Sequence, residues 1–357
     1  MQELYLKNGD ARVSRKRMIA IASAAVFGAG VFVSGSQAKA AQSAADFYRG
    51  KVLTIIIPYG AAGGYEYWAA AIKPYFQKEL GVERIDLVNK TGGGGLVGAN
   101  TLYMSKPDGL TIGDVNGTGA LIAQLINKPG VSFDVKKYGW IGAANIETTV
   151  TVAGASSPYK TFSDLAKLRG GKTKVTGLSD GYGGEDYVGT ALPMATFGIP
   201  FRMLLAYQGS SFAKAGILRG DGDISSFGYS VWQPVLKSHS VVPLFVATTK
   251  PFAALPNVPT ILSLGKKYKL SARKMALLTD FVHVVGMGKD FATPPGTPAD
   301  RIAFMRAAFK KAAENPAFVA VAAKAGRVAG YTSPKELQDT VNDVFTNKAE
   351  FLPFLKK

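Results

Sequence analysis

The chain has 357 residues, of which 47% are hydrophobic and 19% charged. That length and balance fit two packed domains and exclude a disordered chain. There is no cysteine, which excludes disulfides and thiolate metal sites. Lysine and arginine number 42 against 25 acidic residues, and a net charge of +17 draws small anions. The basic residues are spread out rather than clustered, so no nucleic-acid partner is expected.

The first 40 residues read as an export segment. Arg12, Arg15, Lys16 and Arg17 form a basic start, residues 18–33 are apolar and small, and Ala38-Lys39-Ala40 is a cleavage pattern before Ala41. The apolar run is shorter than the ~20 residues a spanning helix needs. Cleavage near Ala40-Ala41 places the mature chain in the periplasm. Six basic and two acidic residues leave with the segment, so the remainder carries +13.

Residues 54–57 are a β-branched run that fits a buried parallel strand. Pro58 stops it, Gly60, Gly63 and Gly64 loosen the backbone, and a helical pattern starts at Glu66. A strand, a glycine loop and a helix N-terminus leave unpaired N–H groups at the positive end of a dipole, a corner suited to a carboxylate or phosphate. Residues 85–88 and 110–115 read as further strands. They end in the loops 91–95 and 116–119, with helices over 97–105 and 120–127. This alternation predicts a parallel, doubly wound sheet whose glycine loops converge at one edge.

A β-rich stretch over 138–153 leads into a second lobe. Thr161-x-x-Asp164 is a helix start. Strands are expected at 173–178, 201–206, 224–227 and 241–248, with a fourth glycine loop at 179–184 and a helix over 185–197. Residues 281–287 read as the strand that returns to the first lobe, and helices over 299–314 and 335–348 close the chain. The fold class expected is α/β and two-lobed. Each lobe is a doubly wound sheet and two crossing strands join them, so that the lobes close on a ligand. Lobe 1 takes residues 46–149 and 281–330, lobe 2 takes 150–280, and 331–357 packs back as a C-terminal helix.

Catalytic chemistry is sparse. His239 and His283 are the only histidines, and neither has a ligand partner at metal spacing. No nucleotide-binding P-loop is present, and the dinucleotide fingerprint fails after Gly117-Thr118-Gly119. Gly209-Ser210-Ser211-Phe212-Ala213 is a broken nucleophile elbow, which leaves a secreted serine hydrolase using Ser211 as the weakest alternative. The chain reads as a binder without cofactor, not an enzyme.

The motifs in order carry a resemblance. They are PYGAAGGYEYWA, LVNKTGGGGLVGANTLY, KPDGLTIG, AYQGSSFAKAGILRGDGDISSFG, VVPLFVATTKPFAALPNVPTILSLG and ATPPGTPADRIAFMRAAFKKAAENPAF. From about Lys51 onward the chain resembles the periplasmic solute-binding proteins of the tripartite tricarboxylate transporter family (Bug or TctC-like receptors). The resemblance implies a type II periplasmic-binding-protein fold that holds a small organic anion (a di-, tri- or aromatic carboxylate) between its lobes. It implies a monomer that passes the ligand to integral-membrane permease subunits; a periplasmic sensor for a signalling partner is the alternative. Carried onto this sequence, it names Tyr59, Gly60, Ala61, Ala62, Gly63, Gly64, Tyr65 and Glu66 in the first loop, and Asn116 and Thr118 in the third. From the second lobe it names Ser179, Asp180, Gly181, Tyr182, Tyr207 and Asp223. The family's loop aspartate is replaced by Glu66 or Tyr67, and its usual arginine falls near Ala70 or Ala71.

Overall fold

The computed structural model describes residues 43–355 apart from 62, 146–147, 180–183 and 208–209. The expected export segment therefore lies outside the described residues. The first part of the chain runs α1 (Ala44–Tyr48), β1 (Val52–Ile57), α2 (Gly64–Leu80), β2 (Arg84–Asn89), α3 (Leu96–Tyr103), β3 (Thr111–Asn116), α4 (Gly117–Leu125) and β4 (Gly139–Asn145). The middle runs β5 (Thr149–Gly154), α5 (Phe162–Ala166), β6 (Val175–Leu178), α6 (Glu185–Phe197), β7 (Phe201–Leu204), α7 (Ser210–Arg219), β8 (Ile224–Gly228), α8 (Tyr229–Lys237), β9 (Val241–Val246) and α9 (Ile261–Lys267). It closes with α10 (Ala272–Gly286), β10 (Lys289–Thr293), α11 (Ala299–Ala313), α12 (Pro316–Lys324), β11 (Ala329–Thr332), α13 (Pro334–Thr346) and α14 (Lys348–Leu355).

Two sheets define two lobes. The first is six-stranded in the order β11-β4-β10-β3-β1-β2, the second five-stranded in the order β7-β6-β8-β5-β9. β1 pairs in parallel with β2 and β3, as helical crossovers require, while β10 enters antiparallel between β3 and β4. β1 is buried along most of its length because α2 covers one of its faces and α3 the other. Trp68, Ile72, Phe76 and Leu80 recur at helical spacing and form the buried stripe of α2, where Phe76 meets Phe309 of α11 edge to face. Gly81 ends that helix in the left-handed conformation at φ 74°, which glycine adopts without strain.

The chain passes between lobes from β4 into β5. The return differs from expectation: residues 281–287 are the last turns of helix α10, and β10 is the strand that re-enters the first sheet. The run Phe281-Val282-His283-Val284-Val285 looks like a strand in isolation. Ser271 caps a helix ten residues earlier, and Leu278, Phe281, Val282 and Val285 fall on one helical face. His283 is on the exposed side of α10, not inside a strand. Residues 329–332, read from sequence as the end of lobe 1 (to 330) and the start of the C-terminal helix (from 331), form the edge strand β11. The expected cap at Thr161 is present as a full capping box with Asp164. Hydrogen bonds led by those from Lys167 and Thr161, with the Lys160 amide, hold the Asp164 carboxyl down at about 2.

One hydrophobic cluster runs through both lobes. It includes Ile56 and Val115 of the first sheet, Val175, Ile224 and Phe245 of the second, and residues of α4, α6, α10, α13 and α14 between them. α14 packs against both α6 and α4.

Candidate ligand-binding cleft

The C-terminal ends of β1, β2, β3 and β4 and the N-terminal ends of β10 and β11 share one edge of the first sheet. In the second sheet the matching edge holds the C-terminal ends of β6, β7 and β8 and the start of β5. Because β4 ends where β5 begins, the crossing sets these two edges side by side. This is where ligands sit in open α/β sheets.

The first-lobe loops meet at Tyr59. Its hydroxyl donates to the Gly94 carbonyl at 3.0 Å and accepts from Asn116 Nδ2 at 2.7 Å. Its carbonyl accepts from Asn89 Nδ2 at 2.8 Å, and the same amide donates to Glu66 Oε2 at 2.8 Å. The three glycine loops expected to converge are thus tied together through one phenol. Asn116 also caps α4 through Gly119 N at 2.9 Å. The Tyr59 and Tyr65 rings lie 4.6 Å apart, and Tyr65 donates a long hydrogen bond, 3.4 Å, to the Gly288 carbonyl. Residues 92–95 all have positive φ, from 61° to 130°, a run that only glycine sustains cheaply.

Four helices that start on these edges share a trait. α2, α3, α6 and α8 have glycine N-caps (Gly63, Gly95, Gly184 and Gly228) and no side-chain cap. In α2 the first helical bond is Tyr67 N to Gly63 O, and in α6 it is Val188 N to Gly184 O. In α2 the amides of Gly64, Tyr65 and Glu66 precede that bond. They stand at the positive end of a helix of 17 residues. Such ends hold carboxylates without a formal cation.

The lobes approach each other at Tyr65. Burial, then the acidic groups Tyr59, Glu185, Asp114 and Asp290, hold its phenol well above the usual range. Glu185 belongs to α6, so the second lobe reaches the first at this ring. Asp114 and Asp290 are fully buried, and neither carboxyl has a hydrogen-bond partner at full bonding geometry among the described residues. Burial pushes Asp114 well above the carboxylate range, with Lys289 opposing. It raises Asp290 to about 7, with the Gly288 amide and Lys289 opposing.

Of the residues expected at the site, Tyr59, Gly60, Ala61, Gly63, Gly64, Tyr65, Glu66 and Asn116 belong to this one corner. Ala62, Asp180, Gly181 and Tyr182 lie outside the described residues. Ser179 is buried at the end of β6, its amide donating to the Leu204 carbonyl at 3.0 Å. Three others are engaged elsewhere. Thr118 is fully buried and its hydroxyl serves the carbonyls of Val284 and Met287 at the end of α10. Tyr207 lies along α7 at Gly216 and donates to Asp221 Oδ2 at 3.0 Å. Asp223 accepts from Thr176 N at 2.7 Å, binding β8 to β6 at the strand ends away from the cleft. Two side chains that the sequence did not point to, Lys289 and Arg327, stand at the α2 N-terminus. A notional Cβ on Gly64 lies 3.8 Å from both Lys289 Cε and Arg327 Nη1.

A cavity of about 10 Å³ lies beside Gly94, Gly95, Asp114 and Asn116. It holds one water at most and is too small for an organic acid. Among the described residues no group of His, Asp and Glu is placed to hold a metal ion, and no helix is long and apolar enough to cross a membrane.

Two lobes, a crossing between them and facing glycine-capped helix ends define a solute-binding receptor. The model of the TctC family, the tripartite tricarboxylate transporter family receptors, matches residues 72–351, and the chain belongs to that family. Its members are receptors, not enzymes. The chain is 24% identical to a UPF0065 protein of Bordetella pertussis over 78% of its own length and 82% of that protein. The structure of a TctC solute-binding protein from Polaromonas matches with a TM-score of 0.68 at 18% identity, over 85% of this chain and 98% of that one. MatC from Rhodopseudomonas palustris with bound malate matches with a TM-score of 0.64 at 18% identity, over 84% and 98%. Likenesses at these identities speak for the fold.

Proposed function

We propose that the protein is a periplasmic receptor that closes its lobes on a small organic carboxylate and delivers it to the membrane permease of a tripartite tricarboxylate transporter. The observation that carries this reading is the glycine-capped N-terminus of α2, tied through Tyr59 to the second and third glycine loops on the sheet edge that adjoins the second lobe. It offers the amides of its first turn to one end of an anion, and closure removes the water that competes for them. The paired rings of Tyr59 and Tyr65 wall the first corner and suit the carbon body between acidic ends. A malate-bound neighbour of the same fold supports the carboxylate class.

Titration calorimetry with di-, tri- and aromatic carboxylates tests it. At least one is expected to bind at micromolar affinity or better. If all organic anions fail while an uncharged solute binds, the carboxylate assignment is wrong.

A further inference from the structure

Basic residues that are spread along the sequence gather at one place in the fold. Residues 165–175 contain four lysines and arginines and residues 261–275 contain five, and neither run has an aspartate or glutamate outside Asp164, which precedes the first. Tyr268 joins the two runs. Its ring packs against Phe162 and Phe197, with centres 5.5 and 6.1 Å away, and its hydroxyl donates to Ser163 Oγ at 3.1 Å. Arg169 from the first run and Lys267 from the second stand over that ring, 5.9 and 5.7 Å from its centre. The first run is anchored by Gly170 N to the Gly198 carbonyl and by Val175 N to the Pro200 carbonyl, beside the starts of β6 and β7. The cleft holds the other ends of those strands, so the basic surface lies at the end of the second lobe away from the cleft.

Neutralisation within the chain does not account for this surface. Lys167 pairs with Asp164 at 3.0 Å and Arg273 with Glu350 at 2.6 Å. Arg169, Lys172, Lys174, Lys266, Lys267 and Lys269 are all exposed, and none has a carboxylate within ion-pair distance among the described residues. The negative end of α9 favours Lys266 and Lys267 in its last turn, but Lys172, Lys174 and Lys269 lie outside any helix. Lys269 has φ 50° at the left-handed position that ends α9, where Leu270 N reaches back to the Gly265 carbonyl at 3.0 Å. Glycine fills that position without strain, so the chain carries a charge there against its backbone preference.

We propose that this surface docks the protein on an anionic phospholipid membrane. It goes beyond the ligand reading and does not depend on it. Five of these six cations are lysines, compact charges on flexible stems that follow a diffuse field of phosphates. A folded acidic partner would be held by arginine forks and aromatic anchors at a desolvated centre. Here the tyrosine is taken up by packing, and none of the exposed large hydrophobic side chains among the described residues falls in either run. The contact is therefore electrostatic, without insertion, and reversed by salt. Lipid and solute occupy opposite ends of the second lobe and do not compete.

Co-sedimentation with vesicles tests it, using the chain from Ala41 onward. Vesicles of phosphatidylglycerol mixed with phosphatidylethanolamine are expected to bind the protein at about 0.05 M salt and release it at about 0.5 M, while phosphatidylcholine vesicles do not bind it. Lys172→Gln, Lys174→Gln and Lys269→Gly together should weaken binding by about tenfold or more. Lys78→Gln, Lys128→Gln and Lys324→Gln together remove the same charge from exposed sites elsewhere, and should change binding by less than about twofold. The change at Lys269 relieves the left-handed turn, so the first variant should melt close to wild type, which separates docking from folding. If wild type ignores the anionic vesicles, if it binds phosphatidylcholine equally, or if the two triple variants lose binding alike, the surface is not a lipid dock. Binding to polyglutamate without binding to vesicles would assign an acidic peptide instead and overturn the proposal.

Discussion

Asp290 shows how one side chain sets a condition on the whole fold. Its carboxyl is buried on β10, and Gly117 has room for no side chain because a Cβ there would lie 2.0 Å from Asp290 Oδ2. A carboxyl that titrates near 7 when folded and near its ordinary value when unfolded binds an extra proton in the native state between those limits. Its favourable contribution is complete below about pH 4, is lost as pH rises toward 7, and is absent above. Asp290→Asn removes that dependence. Thermal unfolding should show the variant gaining on wild type at pH 8 by a few kcal/mol, and by far less at pH 4.5. Equal shifts at both values would contradict the argument. At Gly64, the first turn of α2 has open space that ends at the two cations. Gly64→Val is expected to fold, because nothing lies closer than ordinary contact, and to lose carboxylate binding in calorimetry by about tenfold or more.

At the scale of elements, the uncapped start of α2 separates stability from function. Gly63 has φ −82° and ψ 174°, an extended conformation that serine adopts freely. A serine there places its hydroxyl on the first-turn amides and competes with a guest. Gly63→Ser should change urea stability by only a few tenths of a kcal/mol. It should weaken ligand binding several-fold, once the Gly60 carbonyl at 3.2 Å has given way. Removing the Tyr59 hydroxyl with Tyr59→Phe is different. It cuts the bonds to Gly94 and Asn116 together, and urea unfolding is expected to show a loss of about 1–2 kcal/mol.

These same elements show what a sequence reading reaches. The β1-loop-α2 corner was legible because its strand, glycines and helix stripe are contiguous, and Thr161 with Asp164 is a local cap. The 281–287 segment was misread because a short apolar run has no period of its own; the buried face becomes visible only when Leu277 and Leu278 are included. Tyr207 and Asp223 were named from the resemblance. Their partners, Asp221 in the turn between α7 and β8 and Thr176 in β6, are brought to them only by the fold. Lys289 and Arg327 left no local signal, since they reach Gly64 across more than 200 residues through the insertion of β10 and the edge strand β11.

For the whole molecule, the continuous hydrophobic cluster through α4, α6, α10, α13 and α14 argues that the two lobes unfold together. Scanning calorimetry should give one transition, and saturating carboxylate should raise it as a unit, by mass action on the native state. Two separated transitions, with only one moved by ligand, would contradict a shared core. The same cluster lies at the junction where α14 touches both α4 and α6, so it favours a hinge over a separation of lobes.

The glycine run at 92–95 limits how this protein diversifies. Four consecutive left-handed residues admit no ordinary side chain without strain, and Gly95 is further crowded by the Tyr59 hydroxyl, 3.0 Å from where a Cβ would sit. A descendant selected for a new nutrient cannot readily rewrite that loop. Its novelty would have to arrive through the openings of β10 and β11, where side chains vary freely over a fixed backbone cradle.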